Sequence, residues 1–224
     1  MKYLGSIIFL LELGACNGDQ NDSETSKCYD TLQINNKTFC LDSISESYFK
    51  KNRFSFPLGN DTAKIDSSIV QFLSNGILIK TKAKDVFFKN DTSDTDSRVI
   101  YYYQKTLLSL GYIHFQGVYY EWTKDFLINL ETGKETEFWE NPIFSPSRKW
   151  ILSYSGDLES GEMPNGIQLF SNNEGTITRV FEKEINNWAP DEVRWEADSC
   201  LLIKRKKFDQ DYKESYDYVR MPIK

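Results

Sequence analysis

Along most of this chain, hydrophobic and polar positions alternate in short runs that end at turn-forming residues. A period of two is the pattern of half-buried β-strands. Residues 29–34 and 38–41 form one hairpin pattern around Asn35-Asn36-Lys37. Residues 69–73 and 77–81 form another around Ser74-Asn75-Gly76, whose Asn-Gly pair is a strong hairpin signal. Residues 98–103 are rich in β-formers. One short helix is expected over residues 43–52, with Ser43 as its N-cap and Glu46 three positions on. Residues 91–97 are all polar and read as a loop. They suggest a boundary between an N-terminal β subdomain, residues 28–95, and a second region, residues 96–224.

The second region carries a weak repeat. Strand, turn and strand follow one another over residues 126–130, 131–134 and 135–139, and again over 167–170, 171–175 and 176–181. A further unit begins at Trp188 and runs through Val193 and Trp195 to residues 216–221. The spacing is ~40–45 residues, the size of a propeller blade. Between the first two copies lies Phe144-Ser145-Pro146-Ser147-Arg148-Lys149-Trp150-Ile151. This segment resembles the F-S-P-D-G-K turn of WD40-like β-propellers of the TolB type, with Ser147 in place of Asp and Arg148 in place of Gly. The resemblance covers about half of the chain. It implies a turn that links the outer strand of one blade to the inner strand of the next. The expected fold is therefore all-β, with antiparallel sheets arranged as a small or incomplete β-propeller-like repeat. A β-sandwich of hairpins is the alternative, because it uses the same turn chemistry.

The first 27 residues follow a different pattern. Lys2 is followed by an apolar run from Tyr3 to Leu13, interrupted by Gly5, Ser6 and Glu12. The run is shorter than the ~20 apolar residues that span a bilayer and has the form of a signal-peptide core. Leu13-Gly14-Ala15-Cys16 resembles the lipobox of bacterial lipoproteins, from which Glu12 departs as a charge in the apolar run. The resemblance implies a signal peptide over residues 1–15, cleavage before Cys16, and a lipid on that cysteine. Residues 16–27 contain no large apolar side chain and read as a flexible tether. The acyl chains would enter the membrane at ~0.8 kcal/mol per buried CH₂. The expected location is the cell envelope, on the inner or outer membrane, facing the periplasm or the cell surface.

Composition narrows the function. The chain has 224 residues, 40% hydrophobic and 15% aromatic, enough to build a packed core. Its formal net charge of −6 argues against a nucleic-acid partner. The one basic cluster, Lys204-Arg205-Lys206-Lys207, reads as the solvated end of a hairpin. The single histidine, His114, sits in an apolar stretch and reads as a packed or surface residue. Cys and His show no zinc-ligand spacing, and no cofactor or metal is expected.

An exported chain can hold disulfides. Cys28 and Cys40 flank the first hairpin, where pairing calls for a slipped register or a bulge. Cys200 reads as a small buried hydrophobe. Tyr101-Tyr102-Tyr103 and Tyr119-Tyr120 with Trp122 could offer an aromatic platform, but alternate strand residues face opposite ways and core packing is favoured. Glu121 beside Trp122 and Glu192 near Trp195 are the carboxylates with apolar neighbours. Between two strand patterns, residues 156–166 form a connection longer than the ~2–5 residues of a tight hairpin. Asp157, Glu159 and Glu162 make this the expected binding loop, and oxygen ligands of that kind also suit calcium. The functional expectation is a membrane-anchored, non-catalytic binding or scaffold module with a protein partner. The alternative is a carbohydrate-binding or carbohydrate-active surface lipoprotein with a glycan partner.

Overall fold

The computed structural model describes residues 28–52 and 65–223. Cys16, the signal-peptide core and the tether lie outside the described residues. Among the described residues, sixteen strands, one α-helix and one short 3-10 helix (Leu108–Leu110) follow in order. They are β1 (Asp30–Ile34), β2 (Lys37–Ser43), α1 (Glu46–Lys51), β3 (Val70–Leu73), β4 (Gly76–Lys80) and β5 (Asp85–Lys89). Next come β6 (Val99–Leu107), β7 (Tyr112–Tyr119), β8 (Thr123–Asn129) and β9 (Glu135–Phe138), then β10 (Ile143–Phe144), β11 (Trp150–Gly156), β12 (Asn165–Asn173) and β13 (Thr176–Glu184). The last three are β14 (Ala189–Ala197), β15 (Cys200–Phe208) and β16 (Glu214–Pro222).

The fold is all-β. Its strands form four antiparallel sheets: β3-β4-β5, β6-β7-β8-β9, β10-β11-β12-β13 and β1-β2-β16-β15-β14. β6, β10 and β14, each of which opens a run of consecutive paired strands, begin at residues 99, 143 and 189, a repeat of ~45 residues within the range of a propeller blade. Successive sheets pack face to face, because each buries an apolar face that cannot stay in water. Ile77, Phe88, Phe115 and Phe126 fill the space between the first and second sheets. Leu127, Phe138, Ile151 and Phe170 do so between the second and third. Leu152, Leu169, Trp195, Leu201 and Val219 do so between the third and fourth. Among the described residues no such cluster joins the first sheet to the fourth, so the sheets follow one another as in an incomplete propeller.

The interior strands β7 and β12 are buried on both faces, which explains their near-continuous apolar runs. The hairpin β1–β2 does not stay with β3–β5. It joins the fourth sheet, where β2 pairs with β16 through Val219↔Ser43 and Arg220↔Asp42. The described residues between 28 and 95 are thus divided between the two ends of the stack.

Several local expectations are corrected. The helix is capped by Ser45, whose hydroxyl accepts from Tyr48 N at 3.1 Å, while Ser43 ends β2. The Cys28–Cys40 disulfide is present with a Cα–Cα distance of 5.4 Å, and it needs neither a slip nor a bulge. The β1–β2 register runs evenly from Asp30↔Leu41 to Ile34↔Lys37 around a tight turn. Cys28 lies ahead of the ladder and reaches back to Cys40. Cys200 is fully buried, but its sulfur is not a free thiol.

The turn after Phe144 joins β10 to β11 inside one sheet, rather than linking two blades. Its frame is set by Ser145, whose N–H donates to Trp150 O at 2.9 Å and whose carbonyl accepts from Arg148 N at 2.8 Å. Arg148 has φ 64°, the left-handed region where the resembling motif carries Gly. A non-glycine residue pays about 1 kcal/mol there. Arg148→Gly should raise the melting temperature by roughly 2–4 °C in a thermal unfolding scan. A lower value would mean that the Arg148 side chain, which lies 3.5 Å from Ser109 O, outweighs the strain.

Candidate functional site

The connection between β11 and β12 is the most developed loop of the described structure. The ladder below it closes at Gly156↔Asn165, so residues 157–164 stand beyond the end of the sheet. Asp157 organises them. Its carboxylate accepts from Ser160 N (2.9 Å), Ser160 Oγ (2.5 Å) and Met163 N (2.8 Å). Partial burial pushes this carboxyl up, but the hydrogen bonds from Ser160 and Met163 outweigh that and hold it far below the usual carboxylate range. Asp157 therefore remains ionised and acts as the loop's internal staple.

The three acidic residues singled out in the loop do not converge. Asp157 turns inward, and Glu159 reaches across to Lys206 at 3.1 Å. Glu162 has no side-chain partner among the described residues. No group of three or more His, Cys, Asp or Glu residues able to hold a metal ion occurs among the described residues.

The loop forms a wall shared by two clefts. One, of about 460 Å³, is lined by Asp157, Glu162, Asn165, Glu184, Ile185 and Asn186. The other, of about 380 Å³, is lined by Trp122, Lys124, Glu137, Trp139, Arg179 and Glu182, with Glu162, Met163 and Pro164 common to both. Volumes of this order hold a small ligand or a protruding side chain.

Four charges of the second cleft neutralise one another in pairs, while Glu162 on the shared wall stays unpaired among the described residues. Lys124 pairs with Glu137 at 2.7 Å, and Arg179 with Glu182 at 2.6 Å. Gln168 Nε2 also donates to Glu182 at 2.8 Å. Its aromatic wall is closed as well. Trp122 stacks on Tyr119 with ring centroids 3.6 Å apart, and Lys124 Nζ stands 5.2 Å from the Trp122 ring centre.

The remaining sequence candidates fall into structural roles. Tyr101 and Tyr103 pack toward the core between the first and second sheets, while Tyr102 faces out, as strand alternation requires. His114 is buried on β7, with Nε2 bound to the buried Asp125 carboxylate and Nδ1 unpartnered. Glu121 is exposed in the turn after β7, and Glu192 pairs with Arg194 on β14, so nothing brings them together.

The basic cluster is not a solvated hairpin end. It lies within β15, and Arg205 is fully buried. Arg205 donates to Asp217 through Nε and Nη2, each at 2.7 Å, and to Asp30 through Nη1 at 2.6 Å. Lys204, Lys206 and Lys207 pair with Asp191, Glu159 and Asp217. This set offers no free basic face of the kind phosphate binding needs.

Sequence reading missed Asn165 and Glu184. The only local signal was Asn165-Gly166, which reads as a turn, and their meeting depends on the register of β12 with β13. No family, curated protein or solved structure matches the chain.

Proposed function

We propose that this chain is an exported, membrane-anchored binding module that engages a partner through the 157–164 end of its sheet stack. The lipobox-like Leu13-Gly14-Ala15-Cys16 and the polar leash behind it support the anchor. One observation carries the binding reading: a loop fixed by Asp157 forms the common wall of two clefts on a rigid sheet edge. Preorganised loops on rigid sheets are where recognition residues gather. Histidine-based catalysis has no support in the reading, because the chain's single histidine is sealed in the core against Asp125.

The test replaces residues 158–164 with a short Gly-Ser linker in the full-length protein. Asp157 and Asn165 stay, so the strand ends are kept. The variant should retain a strand-dominated circular dichroism spectrum and lose the partner that co-purifies with the native protein. An unchanged partner set would reduce the loop to a connection. A glycan array run beside it decides the alternative, since selective saccharide binding abolished by Trp139→Ala would assign the second cleft to sugars.

A further inference from the structure

The two ends of the sheet stack are finished differently. The outer face of the fourth sheet is covered by α1. Its Phe49 is buried, with the ring 5.2 Å from the Tyr218 ring and 4.2 Å from the Arg194 guanidinium. The charges on that face are paired, Arg220 with Glu196 and Lys204 with Asp191. The first sheet has no such cover among the described residues. Ile77, Ile79 and Phe88 turn one face of it toward the second sheet, so the alternate positions point away from the stack. Directly paired residues share a face. The pairs Leu73↔Gly76, Leu78↔Phe87, Gly76↔Lys89 and Lys80↔Asp85 therefore set Leu73, Leu78 and Phe87 side by side, with Lys89 at one end of them and Lys80 at the other.

This end of the stack is apolar where the rest of the surface is not. Among the described residues, the exposed large hydrophobics that carry no polar atom are Ile65, Phe72, Leu73, Phe87, Leu108 and Val180. The first four lie in the first sheet or just ahead of it, with Leu73 47% and Phe87 43% exposed. Charge is divided the same way. Residues 65–89 hold four lysines and two aspartates, a net +2 in a chain of net −6. Lys82 is paired with Glu131. Lys80, Lys84 and Lys89 are exposed and carry no ion pair among the described residues. Asp85 is the acidic group of this face, and Asp91 beyond it is turned to Ser93 and Ser97.

We propose that the outer face of β3–β5 docks on an anionic lipid membrane, the membrane that holds the protein through Cys16. The inference rests on the proposed anchor and adds how the anchored domain sits on it. The lysines attract anionic headgroups, and Leu73 and Phe87 enter the interface between them. A second copy of the chain fits this face poorly. Three partly exposed side chains fall far short of the ~800 Å² per partner that a stable protein interface buries. A membrane asks for less, because the lipid on Cys16 already confines the domain near the surface and a weak second contact is enough. An acyl anchor combined with a basic patch is also the two-part arrangement that makes membrane attachment stable.

The experiment is hydroxyl-radical footprinting of the full-length protein purified from its own cells. The protein is reconstituted at one molecule per nanodisc, in phosphatidylcholine alone or mixed with phosphatidylglycerol. Oxidation of Leu73 and Phe87 should fall several-fold in the phosphatidylglycerol discs and recover as salt rises. Tyr212, 85% exposed in the turn between β15 and β16, should be oxidised equally in both. Lys80→Glu/Lys89→Glu should lower the ratio of docked to undocked protein roughly tenfold or more, and so restore oxidation of Phe87. Both positions are exposed, and an unchanged circular dichroism spectrum confirms that the variant folds. Equal oxidation of Phe87 in the two membranes, or protection that persists in the double variant, would overturn the proposal. So would protection that appears in phosphatidylcholine discs only when each holds two molecules, because the face would then belong to a second copy. Intact mass of the same sample separates the two levels. A chain without lipid defeats the anchor, whereas a lipidated chain with equal oxidation in both membranes defeats the docking face and leaves the anchor standing.

Discussion

Asp217→Asn is expected to cost about 2–4 kcal/mol of stability, although it deletes only one surface-facing charge. The reason lies in what it leaves behind. Arg205 is the largest fully buried side chain among the described residues, and its guanidinium is held by a bidentate pair to Asp217 and a single bond to Asp30. The Trp188 ring stands 5.3 Å from the guanidinium and shuts out water on that side. Without the Asp217 charge, a buried cation keeps one partner in place of two, while Asp30 and Asp217 themselves reach water at the edge.

The same group makes stability pH-dependent. Burial pushes the Asp217 and Asp30 carboxyls up, but hydrogen bonds and charge from Arg205 outweigh it, and both sit below the usual range. A carboxyl depressed in the folded state contributes stability above its unfolded value, near 3.9. That contribution disappears as pH falls through the folded value. The melting temperature should therefore hold from pH 7 to pH 5 and fall below about pH 4. The fall should be shallower in Asp217→Asn. Thermal unfolding at pH 7, 5 and 3 checks both statements, and parallel curves for the two proteins would show that the pair does not couple to folding.

Gly166→Ala is the second large effect. A Cβ at this position would lie 2.0 Å from Lys183 O and 3.0 Å from Glu184 Cα, both backbone atoms of the paired strand β13. No rotamer change relieves a clash with backbone, so β12 and β13 must separate. A cost of about 3 kcal/mol or more is expected. The displacement falls between Asn165 and Glu184, so partner binding should be lost even in the fraction that folds. Gly161→Ala is the control. Gly161 has φ 71° and nothing within 4 Å of an added Cβ, so only the left-handed backbone cost of about 1 kcal/mol applies. Denaturant unfolding of the two variants side by side measures the difference.

Much of the fold was legible in the sequence because its information is local. The Asn35-Asn36, Ser74-Asn75 and Glu174-Gly175 turns lie where turn chemistry placed hairpins, and the ~45-residue period marked three of the four sheets. What stayed hidden depends on pairs far apart in the chain. Nothing near Asp30 announces that β1 and β2 will complete a sheet begun at Ala189, or that Asp30 will meet Arg205. For the same reason the run Lys204-Arg205-Lys206-Lys207 looked solvated. Its net charge is visible in one dimension, whereas the burial of its second member follows from strand alternation against Trp188.

The loop was legible by length and composition, but its division of labour was not. Asp157, Glu159 and Glu162 are alike as sequence, and only the fold makes one a staple, one a salt-bridge partner and one an unpaired acceptor.

Intact mass analysis of the protein purified from its own cells tests the proposed membrane anchor on Cys16 most directly. The predicted result is a chain that begins at Cys16 and carries a diacylglyceryl thioether on that residue, absent from Cys16→Ser. A chain that retains residues 1–15, or one that begins at Cys16 with no added lipid mass, would contradict it.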